Sequence, residues 1–118
     1  MMTKNSVISI TLLTLMSVLT AFNAHAARQV GKITGVIPYE ASGKKIVIFK
    51  IENNIAQGCN ITGRFAFDES KKNFDLMSSA LLSAFHSQKT VQVEYTDSCN
   101  AWVNSYDIAY FCIGDIPC

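Results

Sequence analysis

The chain has 118 residues, with ten Lys and Arg against nine Asp and Glu and a formal net charge of +1. That length allows one domain behind a leader segment and no second one. A near-neutral balance without basic runs gives no electrostatic reason to bind nucleic acid or anionic lipid.

The first segment is a leader. Lys4 is the only charged residue ahead of Arg28, and an apolar run follows from Val7 to Leu19. Ala24-His25-Ala26 then puts small residues where a signal peptidase reads. A basic start, a short apolar core and an A-x-A end make a secretory signal peptide over residues 1–26. The apolar core is too short, and too rich in Ser and Thr, to fill the roughly 20 residues of a membrane span, so stable insertion is not expected. Cleavage near Ala26 leaves residues 27–118 as a single secreted or periplasmic domain. Without Lys4, its basic and acidic residues cancel. All four cysteines fall in this domain, and an even number in an exported chain makes disulfides the default expectation. A domain this small buries little core, which gives such staples weight.

Arg28–Tyr39 alternates loosely and is expected as a first strand, with Gly31 and Gly35 marking a bend or bulge and Pro38 near its end. A turn at Glu40–Gly43 leads to a second strand, Lys44–Ile51, which completes a hairpin. Its Ile46 and Ile48 oppose Val47, Phe49 and Ile51, so both faces are apolar; burial on both sides, or a partner subunit on the outer face, would account for that. After the polar loop Glu52–Gly58, a third strand is expected over Cys59–Phe67, with Ile61, Phe65 and Phe67 on one parity. Asp68–Asn73 breaks the pattern, and either Ser70 or Asn73 can cap the helix that follows. That helix, Phe74–Ser87, carries Phe74, Met77, Leu81 and Phe85 at helical spacing, a stripe expected to pack on the core. Thr90–Thr96 alternates cleanly as a fourth strand. A loop with Cys99 and Trp102 then precedes a fifth strand, Asp107–Ile113, and an irregular tail. The order β-β-β-α-β-β is that of a five-stranded Greek-key barrel of the OB type, mainly β with one helix.

A signal peptide, this element order and internal disulfides together resemble the cell-binding B subunits of bacterial AB-type toxins, and most of all the subtilase-cytotoxin and pertussis-like group. The residues that carry the resemblance are Cys59, Asp75–Phe85 (DLMSSALLSAF), Val91–Tyr95 (VQVEY) and Cys99. The chain is also similar to small exported bacterial proteins that share a Cys-x-x-x-x-Arg-Phe-Ala-x-Asp segment, here Cys59 to Asp68, and a Ser-Cys-x-x-Trp segment, here Ser98 to Trp102. This second likeness spans about Gly58 to Trp102 and carries no established activity. The first implies a host-glycan-binding homo-oligomer, a ring of five chains, with an enzymatic A subunit as partner. The sugar-contacting serine of those subunits finds no matching position here, so their binding residues are not carried over.

Four cysteines allow three pairings. Cys59 and Cys99 mark the two ends of the helical excursion, and joining them would contribute about 4 kcal/mol through loop entropy. Cys112 and Cys118 would then tie the tail to the last strand for about 2 kcal/mol. No Cys-x-x-Cys redox pair is present. His86, the one histidine of the domain, is far in sequence from any cysteine, so a zinc site lacks support; it is expected instead at the helix C-terminus. A single histidine and scattered acids do not make a hydrolytic constellation, and neither a catalytic residue nor a cofactor is expected. Asn60-Ile61-Thr62 matches the N-glycosylation pattern and is read as incidental.

The candidate ligand surface is the aromatic and amide cluster of Asn100–Tyr110. Trp102, Asn104, Ser105, Tyr106 and Asp107 offer a stacking ring together with hydroxyl, amide and carboxylate partners for a sugar. The competing role for Trp102 is to cover the barrel end beside Cys99, and Tyr106 and Asp107 could simply begin the last strand. The expected function is that of an exported, non-catalytic, glycan-binding module. The competing expectation is a monomeric periplasmic or secreted inhibitor or protein-interaction module.

Overall fold

The computed structural model describes residues 27–118; the expected signal peptide lies outside them. The elements are β1 (Ala27–Ala41), β2 (Lys44–Ile51), β3 (Arg64–Asp68), α1 (Phe74–Ser87), β4 (Thr90–Tyr95) and β5 (Ser105–Ile113). The strands close into a barrel in the order β1-β2-β3-β5-β4. Only the β3–β5 pairing is parallel, and β1 closes the ring by pairing with both β2 and β4. With its single helix between β3 and β4, the domain is OB-like.

The length of β1 follows from this double duty. Ala27–Lys32 pairs with β4 and Ile33–Ala41 with β2, and the register shifts between Ile33 and Gly35, where the sequence places a bulge. Gly31 allows a close approach: a Cβ there would stand 2.8 Å from the carbonyl oxygen of Glu52. The hairpin turn is made by Ser42 and Gly43, both at positive φ.

The barrel interior takes Val47, Phe49 and Ile51 from β2, Phe65 and Phe67 from β3, Val91, Val93 and Tyr95 from β4, and Tyr106 and Ile108 from β5. Each large apolar side chain sealed there contributes about 1.5–3 kcal/mol by leaving water. Leu81 and Ala84 of α1 join this cluster, with Phe74, Met77 and Phe85 packed at its margin. The apolar stripe of the sequence is the face that the helix presents to the barrel.

The ends of α1 are handled differently from the sequence expectation. Asn73 occupies the N-cap position, yet its side chain makes no capping bond, and neither does that of Ser70. Ser70 turns back to Asp68 instead, through its N–H at 2.9 Å and its hydroxyl. At the other end Gln88 adopts φ 54°, and the N–H groups of Gln88 and Lys89 donate to Phe85 and Ala84 in a Schellman-type closure. His86 lies in the last turn, at the C-terminal end where the sequence places it.

The third strand starts five residues later than expected, at Arg64. Residues 57–63 form a tight turn, with Gly58 and Gly63 at positive φ and an isolated bridge between Gln57 and Asn60. The Asn60 side-chain oxygen accepts the Arg64 N–H at 3.0 Å, and the Asn54 amide donates to the Gly63 carbonyl. Ile61, expected beside Phe65 and Phe67, is consequently 68% exposed.

The second apolar face of β2 also has its explanation within the chain. Ile46 and Ile48 point outward, yet they are only 4% and 3% exposed. With Ala66 they form a small outer cluster covered by Ala41, Ala101 and Trp102. The β4–β5 loop of the same chain covers the surplus, and β2 does not need a partner subunit for that purpose. Val47 and Phe49 face inward.

Cys59 is bonded to Cys99 and Cys112 to Cys118, the pairing that the sequence favours. Two disulfides place the domain in an oxidising compartment, extracellular or periplasmic. No helix among the described residues is long and apolar enough to cross a membrane.

Candidate ligand-binding face

Strand alternation decides what the outer surface of β1, β2 and β3 carries. The register sets Ile37 opposite Ile48 and Tyr39 opposite Ile46, so these four share one face, continued by Ala66 on β3. Asp107 lies opposite Ala66 and Ser105 opposite Arg64, which extends the face onto β5. The loop from Thr96 to Asn104 folds over it.

That loop is built on Asp107. Its carboxylate accepts from the Ser98 hydroxyl at 2.6 Å, the Asn100 N–H at 3.0 Å and the Ala101 N–H at 2.8 Å, while its backbone N–H donates to the Ser98 carbonyl at 2.8 Å. The Cys59–Cys99 bond ties the same loop to the 57–63 turn. The far end is held where Asn104, at φ 60°, presents its carbonyl to the Thr62 hydroxyl. Thr62 also accepts from the Arg64 guanidinium at 2.9 Å. Between these anchors Trp102 lies on the outer cluster and meets Tyr39 edge-on, with ring centroids 5.0 Å apart and planes at 67°. Edge-to-face contact leaves part of each ring free; Tyr39 is 45% exposed and Trp102 is half-buried.

The five candidate residues therefore separate. Trp102 is on the surface, where it covers the β1–β2–β3 face and not a barrel end. Asn104 is half-buried beside it. Ser105 is fully buried. Tyr106 points into the barrel, stacked on Tyr95 at 4.9 Å, with its hydroxyl donating to the Gln57 carbonyl at 2.7 Å. Burial, helped by the nearby Asp97 carboxylate, pushes its phenol above the ordinary value. Asp107 organises the loop, and its carboxylate is occupied in doing so.

Tyr39, Lys50 and Arg64 join the face without having been singled out in the sequence. Their signal is the two-residue period of the hairpin, but it can be read only once the partners across the strands are known. Gly35, Ile37, Ile48, Lys50 and Arg64 line a pocket of about 270 Å³ on this face. A second groove of about 350 Å³ runs between the hairpin tip and α1, bounded by Pro38, Tyr39, Lys45, Phe74 and Leu82.

Along the other edge, Asp68 accepts from Lys44 at 2.9 Å and from Ser70. Burial alone would raise the Asp68 carboxyl, but the bonds from Ser70 and Lys44 outweigh it and hold the group below the usual carboxylate range. The same contact raises Lys44. Among the described residues no cluster of three His, Cys, Asp or Glu side chains could hold a metal ion. The glycosylation pattern falls on Asn60, which is fully buried with its side-chain oxygen engaged.

No protein-family model, no curated protein and no solved structure matches this chain.

Proposed function

We propose that the domain is an exported, non-catalytic binding module that takes up a saccharide on the outer side of β1, β2 and β3, against the exposed parts of Tyr39 and Trp102 at the margin of the β4–β5 loop. The observation that carries this proposal is the Tyr39–Trp102 pair: two part-exposed rings meeting edge-on above an apolar floor. Sugars bind by laying their C–H faces on such rings while nearby amide and hydroxyl groups take their hydroxyls. Barrels of this topology use this strand face and its flanking loops for oligosaccharides and oligonucleotides. A domain whose charges cancel favours the first. A glycan-binding B subunit is the family of function to which the sequence likeness also leads.

A glycan array probed with the full chain tests the proposal. Tyr39→Ser and Trp102→Phe should each lower retention of the bound glycans at least about tenfold, the loss of roughly 1.4 kcal/mol of stacking. Equal retention by both variants would remove this face from the binding site. Self-association, if it accompanies binding, falls to α1 and no longer to β2, because the exposed apolar residues Leu76 and Leu82 lie on the helix.

A further inference from the structure

The pocket beside the aromatic pair has an electrostatic property that the aromatic contacts do not explain. In the β2–β3 ladder Phe49 stands opposite Phe65. The paired ladder ends there, and the next residues on the two strands, Lys50 and Arg64, both line one pocket of about 270 Å³ with Gly35, Ile37 and Ile48. Like charges facing each other on adjacent strands repel and destabilise a sheet. Usually a carboxylate nearby relieves the pair. Here the ion pairs among the described residues are Arg28 with Glu94 and Lys44 with Asp68, and neither involves Lys50 or Arg64. The Arg64 Nε–H is spent on the Thr62 hydroxyl, and its terminal N–H groups donate to no other side chain or carbonyl among the described residues. Arg64 is half-buried, which raises the cost of leaving it without an anion. The walls supply the rest of a site: Ile37 and Ile48 are apolar, and at Gly35 a Cβ would meet nothing within 4 Å, so the mouth is open.

We infer that the Lys50–Arg64 pocket is an oxyanion subsite that holds a sulfate ester carried by the bound saccharide. This rests on the saccharide reading of the neighbouring face. The shape of the donors selects the group. A guanidinium edge takes two oxygens of an oxyanion side by side, whereas an ammonium is a point charge that needs one more oxygen directed at it. A carboxylate has two oxygens in one plane, and the arginine edge uses both. A sulfate ester has three terminal oxygens arranged tetrahedrally, enough for Arg64 on one wall and Lys50 on the other. A nucleic-acid backbone fits less well, because it needs a track of cations, whereas this pocket holds two on a domain whose charges cancel.

The test is an NMR titration of the full chain at constant ionic strength with sodium sulfate, using chloride as control. It is followed by calorimetry with one disaccharide in three forms: sulfated, desulfated, and bearing a uronate in place of the sulfate. Saturable sulfate shifts are expected at Ile37, Ile48, Lys50 and Arg64, together with about tenfold tighter binding of the sulfated form than of the desulfated one. Lys50→Gln, at an exposed position, should abolish that difference, and Arg64→Gln should do the same. Sulfate shifts that are saturable without binding of any saccharide uphold the subsite and reject the saccharide face. Shifts that never saturate, or equal affinity for sulfated and desulfated forms, overturn the subsite. A uronate form as tight as the sulfated one, or tighter binding of a single-stranded oligonucleotide than of any saccharide, overturns the choice of ligand.

Discussion

Asp68 shows how one side chain on the outer surface of the barrel makes stability depend on pH. It is nearly buried, yet it stays ionised because Ser70 and Lys44 donate to it. Its folded-state pKa therefore lies below the ordinary carboxylate value of 3.8. Stability from such a group is fully present above that ordinary value and is lost as pH falls through the lower, folded value. Urea midpoints measured across the acid range should fall below about pH 4 in the wild type. Asp68→Asn should be weaker by about 1–2 kcal/mol at neutral pH and should lose part of that acid dependence. An unchanged acid limb in Asp68→Asn would show that other carboxylates set it. Asp107 teaches a complementary lesson: its polar neighbourhood looked like ligand chemistry, and the structure spends the whole carboxylate on turning a loop.

At the scale of elements, legibility followed how local the determinants are. β2 and α1 were readable to the residue because period two and period 3.6 are written within each segment, and the disulfide pairing followed from the elements that the cysteines flank. The start of β3 was not readable. Ile61 and Phe65 keep strand parity on paper, but Gly58 and Gly63 take positive φ and Asn60 turns inward to hold Arg64, a tertiary arrangement with no periodic trace. The outer face was invisible for the same reason. Tyr39 and Trp102 are far apart in sequence and meet only because the barrel closes and the β4–β5 loop folds over β2. The disulfides should rank accordingly. Replacing both Cys59 and Cys99 by Ala should cost about 4 kcal/mol and loosen that loop, and the Cys112–Cys118 pair about 2 kcal/mol. Chemical denaturation of the two double variants checks the order, and a larger loss from the tail pair would contradict it.

On the scale of the whole molecule, the barrel has one face occupied by its own loop and a helix that leaves apolar side chains in water. Leu76 is 69% exposed, and it borders a groove with Met77, Tyr110 and Phe111. If the chain forms a ring through α1, Leu76→Glu should lower the sedimentation coefficient toward that of a monomer and leave the circular dichroism unchanged. Ile48→Glu should instead unfold the domain, since Ile48 is covered from within the chain. A wild type that sediments as a monomer at high concentration removes the ring and favours the single-chain interaction module.

The saccharide is proposed to lie against Tyr39 and Trp102, and Trp102 is the single tryptophan of the chain. Its fluorescence therefore reports on that face alone. Titration with a glycan retained on the array should shift or quench the emission with a saturable curve, and Tyr39→Ser should weaken that curve at least about tenfold. Calorimetrically detected binding of the same glycan, with tryptophan emission unchanged and Tyr39→Ser indistinguishable from wild type, would place the ligand elsewhere and contradict the account.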